Sequence, residues 1–372
     1  MDVSSFEATG ATNPAENVAK RTRVADTSSR ITFAAQEDLG GGLKAGVYCE
    51  TGINIDNGGF TGQADTPNAN TAGFCSREGR AYIGNNTAEL RLGRQNVWWT
   101  QGELNQVGSN LVGSDTLTNF VTGGVGQYTT RGENMIKVVA GANLGAFAGS
   151  EVYTGYMGKS GFDITSAAST GEAAASPSGK YSGFKALYTQ GQIVGMIDYQ
   201  TSKSTTPAQA GSNYQLPGFA GTAAPAAGSR ASRDAVKYGV GYKYGGESLI
   251  SFQAWEHKRS NAADTATEKD KGWGIVSHHD AGNGYVLVAQ YGKQGKRTFS
   301  DSTAETENGA KGYTLGGLKR LSKRTHLYTA YHVIKNDAAG TYNMNGGNYT
   351  SAAAVGAGSE VKTLAVGFQH WF

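Results

Sequence analysis

No stretch of this sequence stays apolar for the roughly 18 residues that a membrane helix requires, so helical membrane insertion is excluded. Two cysteines in 372 residues exclude a disulfide-built scaffold and a four-cysteine zinc site. The net charge of +3 predicts neither a nucleic-acid partner nor strong attraction to a charged surface. The segment after Met1 is polar and lacks the apolar core of a secretion signal, so an exported protein is expected here in its mature form. There is no Gly-x-Ser-x-Gly elbow and no other Ser/His/acid grouping, which argues against an enzyme. Gly158-Lys159-Ser160 resembles the end of a phosphate loop, but Tyr153 stands where that loop requires its first glycine. His278-His279-Asp280 resembles a metal cluster, yet adjacent histidines on a strand point to opposite faces. No metal and no cofactor are expected.

What the chain does have is glycine, 55 residues of it, with 19 tyrosines and 13 phenylalanines but only 6 prolines. The glycines follow no three-residue period, and the aromatics argue against a disordered linker. This is the mixture of many short strands and tight turns. The mean hydropathy of -0.42 looks soluble. A transmembrane β-barrel reads the same way, because half of each strand faces water.

Glu89-Leu90-Arg91-Leu92-Gly93-Arg94 alternates polar and apolar side chains, the period of a strand with one wet and one apolar face. Residues 95–131 then carry no sustained period, yet hold Trp98, Trp99, Glu103 and Asp115. A loop this long is usually functional or disordered, and its tryptophans and low charge argue against disorder. It is expected to fold inward and narrow a pore.

Elsewhere the alternation recurs. Residues 3–12 make a weak first strand, and 13–29 read as a polar loop with Lys20, Arg21 and Arg23. Residues 30–38 and 43–50 pair across Gly40-Gly41-Gly42, and further pairs follow to a last strand at 360–372. Eight connections are long and polar and seven are short, alternating strictly. This predicts about sixteen strands near ten residues each, whose tilted span of roughly 25 Å matches the apolar height of an outer-membrane barrel. Closing the sheet removes its edges. The expected fold is all-β: one transmembrane antiparallel β-barrel over residues 1–372, with short periplasmic turns, long extracellular loops and the loop at 95–131 in the lumen. Both termini then lie on the periplasmic side.

The residues also carry a resemblance. Residues 37–45 (Glu-Asp-Leu-Gly-Gly-Gly-Leu-Lys-Ala) resemble the first periplasmic turn of Gram-negative general porins, especially the β-proteobacterial kind of Neisseria, Bordetella, Comamonas and Burkholderia. Leu90-Arg91-Leu92-Gly93-Arg94-Gln95 resembles the strand entering their constriction loop. Ala81-Tyr82-Ile83-Gly84 and Glu133-Asn134-Met135-Ile136-Lys137 match in place. Gly367-Phe368-Gln369-His370-Trp371-Phe372 resembles their terminal strand, whose last aromatic, here Phe372, is read by the outer-membrane assembly machinery.

The resemblance implies a homotrimer of sixteen-stranded, water-filled pores in the bacterial outer membrane, among outer-membrane lipid and lipopolysaccharide. It implies passive diffusion of ions and small hydrophilic solutes, with no nucleic-acid partner. An acidic loop face opposes a ladder of wall arginines in that family. Carried over, Arg30 takes a ladder position, Arg94 and Arg131 flank the loop roots, and Lys137 faces inward nearer the periplasm. Gly79 stands where the family usually has an arginine. Arg77 shares its parity and is expected to substitute, whereas Arg80 has outward parity. Residues 3–12 also lack the family's Leu-Tyr-Gly opening.

Excess arginine favours anions, because guanidinium stays charged and offers forked donors. Trp98 and Trp99 either stack on a ring-bearing solute or pin the loop to the wall; Glu103 and Asp115 are either its acidic face or solvated carboxylates. Cys49 and Cys75 bracket the second long loop on the oxidising side, so a disulfide is a candidate. Extrapolated parity puts Cys49 outward and Cys75 inward, which leaves a bridge only where the loop departs from strand geometry. The leading expectation is a mildly anion-selective porin. The alternatives are a substrate-selective channel for small organic acids and a surface β-protein acting as an adhesin.

Overall fold

In a computed structural model of the chain, the described residues are 1–26, 29–53, 55, 60–61, 74–97, 104, 117, 120, 131–157, 179–204, 232–260, 267–300, 307–344 and 355–372. Nearly all of them are strand. The first half holds β1 (Asp2–Thr9), β2 (Val18–Ala25), β3 (Arg30–Gly40), β4 (Leu43–Ile53), β5 (Phe60–Thr61), β6 (Glu78–Gly84), β7 (Ala88–Asn96), β8 (Arg131–Ala140) and β9 (Glu151–Met157). The second half holds β10 (Gly179–Gln190), β11 (Ile193–Ser204), β12 (Ser232–Tyr244), β13 (Ser248–Ser260), β14 (Thr267–Gly282), β15 (Tyr285–Gln294), β16 (Thr298–Phe299), β17 (Ala310–Arg320), β18 (Thr325–Asn336) and β19 (Glu360–His370). Two 3-10 turns, Pro14–Glu16 and Ala142–Phe147, complete the elements.

Sequential strands pair antiparallel, and β19 pairs with β1 from Asp2↔Gly367 to Thr9↔Glu360, which joins the last strand of the chain to the first. β2 pairs with β1, and β3 with β4, with no reversal of direction between β2 and β3. They therefore run in the same direction. The two-residue β5 and β16 extend the partners of β4 and β14. With β2 and β3 taken together and β5 and β16 set aside, the described strands number sixteen.

Residues 18–25 therefore correct the sequence expectation of a loop at 13–29. Their charge misleads, because Arg21 and Arg23 lie in register with Phe6 and Ser4 on the inner face while Val24 points out. Arg21 covers the Phe6 ring at 5.3 Å. The last strand also ends earlier than expected, at His370; Trp371 still donates its N–H to the Arg324 carbonyl at 2.9 Å, and Phe372 lies beyond.

Alternation is clean where both faces are occupied: β15 runs exposed–buried throughout. The outward set is apolar, including Phe33, Val47, Leu92, Val152, Val240, Ile275, Leu315 and Leu364, each at least 40 % exposed. Leaving such side chains in water costs about 1.5–3 kcal/mol each, so this belt faces lipid. Short turns cluster at the end that carries both termini. One of them, at Gly40-Gly41-Gly42, holds three consecutive glycines at φ +84°, +61° and +79°, a left-handed run that side chains resist.

One buried carboxylate follows β2. Asp26 Oδ1 accepts from the Ser29 N–H at 2.8 Å and Oδ2 from the Ile55 N–H at 2.9 Å. Asp26→Ala is expected to destabilise the barrel by about 2 kcal/mol, since it leaves donors without an acceptor; urea titration in detergent measures this, and an unchanged midpoint would contradict the assignment.

Cys49 and Cys75 form a disulfide with Cα atoms 4.7 Å apart. Cys75 is not on the ladder: it sits in the turn before β6 at φ +60°, so the inward parity extrapolated for it does not apply. The bridge closes 26 residues of chain, a constraint worth about 3 kcal/mol against unfolding. Unreduced protein unfolded in guanidinium is expected to show no titratable thiol, and Cys49→Ser/Cys75→Ser to unfold at lower denaturant.

Candidate pore constriction

The inner face of the first staves is an arginine wall. Arg30 on β3 donates Nη1 to Glu50 Oε1 at 3.3 Å, and Arg77, just ahead of β6, donates Nε to the same oxygen at 2.6 Å. Tyr48 adds its hydroxyl to Glu50 Oε2 at 3.3 Å. Arg131, first residue of β8 and itself buried, lies close enough for its charge to act on Glu50. One buried carboxylate thus gathers guanidinium groups from three separate segments. Burial, first, and the charge of Arg30 draw the Arg77 guanidinium below its ordinary pKa, while the bond to Glu50 opposes them.

Arg80 corrects the parity argument. It is in register with Tyr48, which faces inward with Glu50, whereas Gly79 is in register with outward Cys49. Arg80 pairs with Glu78 and lies over the Tyr48 ring at 4.0 Å. Gly79 is therefore no gap in the wall. It lies beneath the disulfide, where an added Cβ would stand 3.1 Å from that of Cys75. Arg77 reaches the lumen from the turn, not from a ladder position.

At the loop roots the roles diverge. Gly93, at φ +121°, takes a backbone approach no side chain tolerates, since a Cβ would meet the Gly79 carbonyl oxygen at 2.2 Å. The β7–β8 register slips between Gly93 and Gln95. Arg94 follows in register with Gly79, on the outer side, and donates Nε to the Ser76 carbonyl at 2.9 Å. It braces the neighbouring turn. Arg91 stays inward and pairs with Glu89. Lys137 faces inward as expected but is 2 % exposed, held by Glu151 at 3.1 Å and by the Asn96 carbonyl. It anchors the loop root.

Trp98, Trp99, Glu103 and Asp115 lie outside the described residues. Three other residues of the loop show where it goes. Leu104, Leu117 and Phe120 are fully buried against the inner face of β12 to β15. Leu104 lies over Gly239 and Gly241, and its carbonyl accepts from Ser251 Oγ. Leu117 lies over Gly274 and donates its N–H to Gln290 Oε1 at 2.8 Å, and both it and Phe120 touch the site of Gly292. Leu104, Leu117 and Phe120 thus seat on the inner face of β12 to β15. Glycines there leave the room its apolar side chains fill.

Sequence reading missed Arg21, Arg23, Arg80, Glu50 and Glu78. Counting β6 from its partner β4 was the available signal for Arg80 and Glu78; residues 18–25, with four consecutive polar side chains at 20–23, offered none. His278 is buried and His279 exposed beside Tyr244, so the histidine pair is split between faces. Among the described residues no group of three or more metal-ligating side chains occurs. Phe372 is 94 % exposed at the end with the short turns.

Comparison with known proteins agrees with this geometry. Outer membrane porin protein 32 of Delftia acidovorans is 26 % identical over 353 residues, covering 93 % of this chain and 85 % of that protein. The fold is similar to that of an anion-selective porin from Comamonas acidovorans, with a TM-score of 0.69 at 22 % identity over 100 % of this chain and 97 % of that one. It is also similar to the trimer form of OmpT from Vibrio cholerae, with a TM-score of 0.60 at 12 % identity, covering 100 % and 97 %. Residues 4–339 match the family model of the Gram-negative porins. This chain therefore belongs to the Gram-negative porin family of the bacterial outer membrane.

Proposed function

We propose that this porin is a passive, mildly anion-preferring diffusion channel for ions and small hydrophilic solutes, and that its constriction lies between the arginine wall and the loop seated opposite. The observation that carries the reading is the charge on that wall. Arg30, Arg77, Arg80 and Arg91 pair with Glu50, Glu78 and Glu89, and Arg21 and Arg23 share the inner face on β2, so the cations exceed these carboxylates. Fixed charges around a narrow wet passage bias which ion enters, and guanidinium does not titrate away. Arg94 and Lys137 serve the loop roots in this scheme, and Trp98, Trp99, Glu103 and Asp115 are retained from the sequence as the loop's contribution to the constriction. By analogy with the trimeric relative, the protein works as a homotrimer embedded in outer-membrane lipid and lipopolysaccharide. Phe372, free of the ladder, is the residue the assembly machinery reads.

A second reading, a selective channel for small organic acids, draws on the forked donors gathered at Glu50, which suit a carboxylate. Saturation of flux with rising solute concentration distinguishes it from free diffusion.

The refolded protein in a planar bilayer under a salt gradient is expected to give stepwise conductance and a zero-current potential of anion sign. Arg80→Gln removes one cation and leaves Glu78 less neutralised, so the potential is expected to move toward the cation side. A cation sign in the wild type would overturn the wall's role. The seating of the loop has its own test. Gly274→Val places new atoms where Leu117 now lies, 2.1 Å from the site of an added Cβ. It is expected to displace the loop into the lumen and lower single-channel conductance, and Gly274→Ala with Leu117→Ala to restore the wild-type step.

A further inference from the structure

The turn before β6 touches both sides of the wall. Phe74, exposed on the outside, meets the Phe33 ring at 5.2 Å. Arg77, three residues on, reaches inside and donates to Glu50 at 2.6 Å. The β4–β6 ladder runs from Lys44↔Gly84 to Glu50↔Glu78, so residues 74–77 lie beyond its last pair. Other ties hold them there. Cys75 N–H donates to Thr51 Oγ1 at 2.8 Å, Arg77 N–H to the Glu50 carbonyl at 2.9 Å, and Arg94 Nε to the Ser76 carbonyl at 2.9 Å. Each is a single hydrogen bond at the rim, where water competes for it. The Cys49–Cys75 disulfide is the covalent one.

That bridge is placed to fasten the wall's ion pair. Cys49 is the residue before Glu50, and Cys75 stands two residues before Arg77. Both partners of the pair are thereby joined through the sulfurs as well as through their own bond. Cys75 sits at φ +60°, a region that side chains rarely adopt, so the bridge holds a conformation that a free turn would leave. Both cysteines are partly exposed and within reach of a small thiol. The ladder between β4 and β6 has its own backbone bonds and does not depend on the sulfurs.

We propose that the Cys49–Cys75 disulfide sets the anion preference of the pore by holding Arg77 on Glu50, and that its reduction by a small external dithiol lowers that preference without opening the barrel. One thiolate of the dithiol attacks a bridge sulfur, the S–S bond breaks and a mixed disulfide forms. The second thiol of the reductant then displaces it. Cys49 and Cys75 end as thiols, the reductant ends as a cyclic disulfide, and two electrons and two protons have passed to the protein. The freed turn relaxes at Cys75 and carries Arg77 off the wall, while Glu50 keeps Arg30. The narrow level then presents one cation fewer. This rests on the arginine-wall reading of the pore.

The test records the zero-current potential of the full-length oxidised protein in a planar bilayer under a salt gradient, before and after dithiothreitol. Alkylation and mass measurement on the same preparation count the thiols released. The anion-to-cation permeability ratio is expected to fall by about twofold as two thiols appear, with stepwise conductance retained, and to return on perfusion with oxidised glutathione. Cys49→Ser/Cys75→Ser is expected to start at the lowered ratio and to ignore the dithiol. Arg77→Gln is also expected to start low and to shift no further when its bridge is reduced. Release of both thiols with an unchanged potential, a wild-type potential in the double serine variant, or a full dithiol response in Arg77→Gln would each overturn the proposal. A bridge that resists the dithiol in the folded protein would overturn the redox response. A cation sign in the oxidised wild type, before any thiol is added, counts instead against the arginine wall, which keeps the two failures apart.

Discussion

In hydrocarbon no water is available to a backbone N–H or C=O, so every such group that crosses a membrane must find its partner inside the protein. The pairing of β19 with β1 is one place where this chain meets that requirement. It joins the last strand to the first, and it extends to Met1, whose carbonyl accepts from Phe368 N–H at 3.0 Å. Closure also divides the side chains. Once the ladder is a ring, successive residues point to lipid or to the interior. Charge then has only the interior and the two rims to occupy. The arginines of β2 and β3 are one outcome of that sorting. The buried Asp26 shows the same rule off the ladder, because its two oxygens accept the backbone N–H groups of Ser29 and Ile55.

The second determinant is close approach. Where the constriction loop meets the wall it meets glycines, at positions 239, 241, 274 and 292, and its leucines and phenylalanine occupy the volume side chains would take. Where the loop departs, Gly93 lets β7 pass against the Gly79 carbonyl. Gly79 in turn makes room for the disulfide. The high glycine content is thus spent partly on turns and partly on a seat for the loop. That seat fixes how far the loop reaches across the interior.

Much of this was legible in the sequence, and the failures have physical causes. Strict alternation exposed the staves because each faces two different solvents. The Gly40-Gly41-Gly42 turn and the strand entering the loop were readable from local chemistry alone. Residues 18–25 were lost because Lys20, Arg21 and Arg23 look like a solvated loop, although a charged inner face is what a wet lumen permits. Parity failed at Cys75 and Arg77, which precede the ladder, and at Arg80, whose face follows from its partner Tyr48 rather than from counting along its own strand. The seat of the loop was not legible, because Leu104 and Gly239 are joined only by closure of the barrel.

Parity also bears on how the wall acts. Glu50 gathers guanidinium groups rather than cancelling one, since it binds Arg30 and Arg77 and feels Arg131, whereas Glu78 and Glu89 hold Arg80 and Arg91 singly. A carboxylate so shared fixes the arginines in direction while leaving the cluster net positive. Freely rotating side chains would screen themselves and follow the passing ion. Tethered ones present a standing field, and a solute entering the constriction aligns to charges that do not reorganise around it. The disulfide, the Arg94 brace on Ser76 and the Asp26 contacts all lie at the upper ends of β3, β4, β6 and β7, the staves that carry this cluster. The barrel is tied most heavily where its charge must stay still.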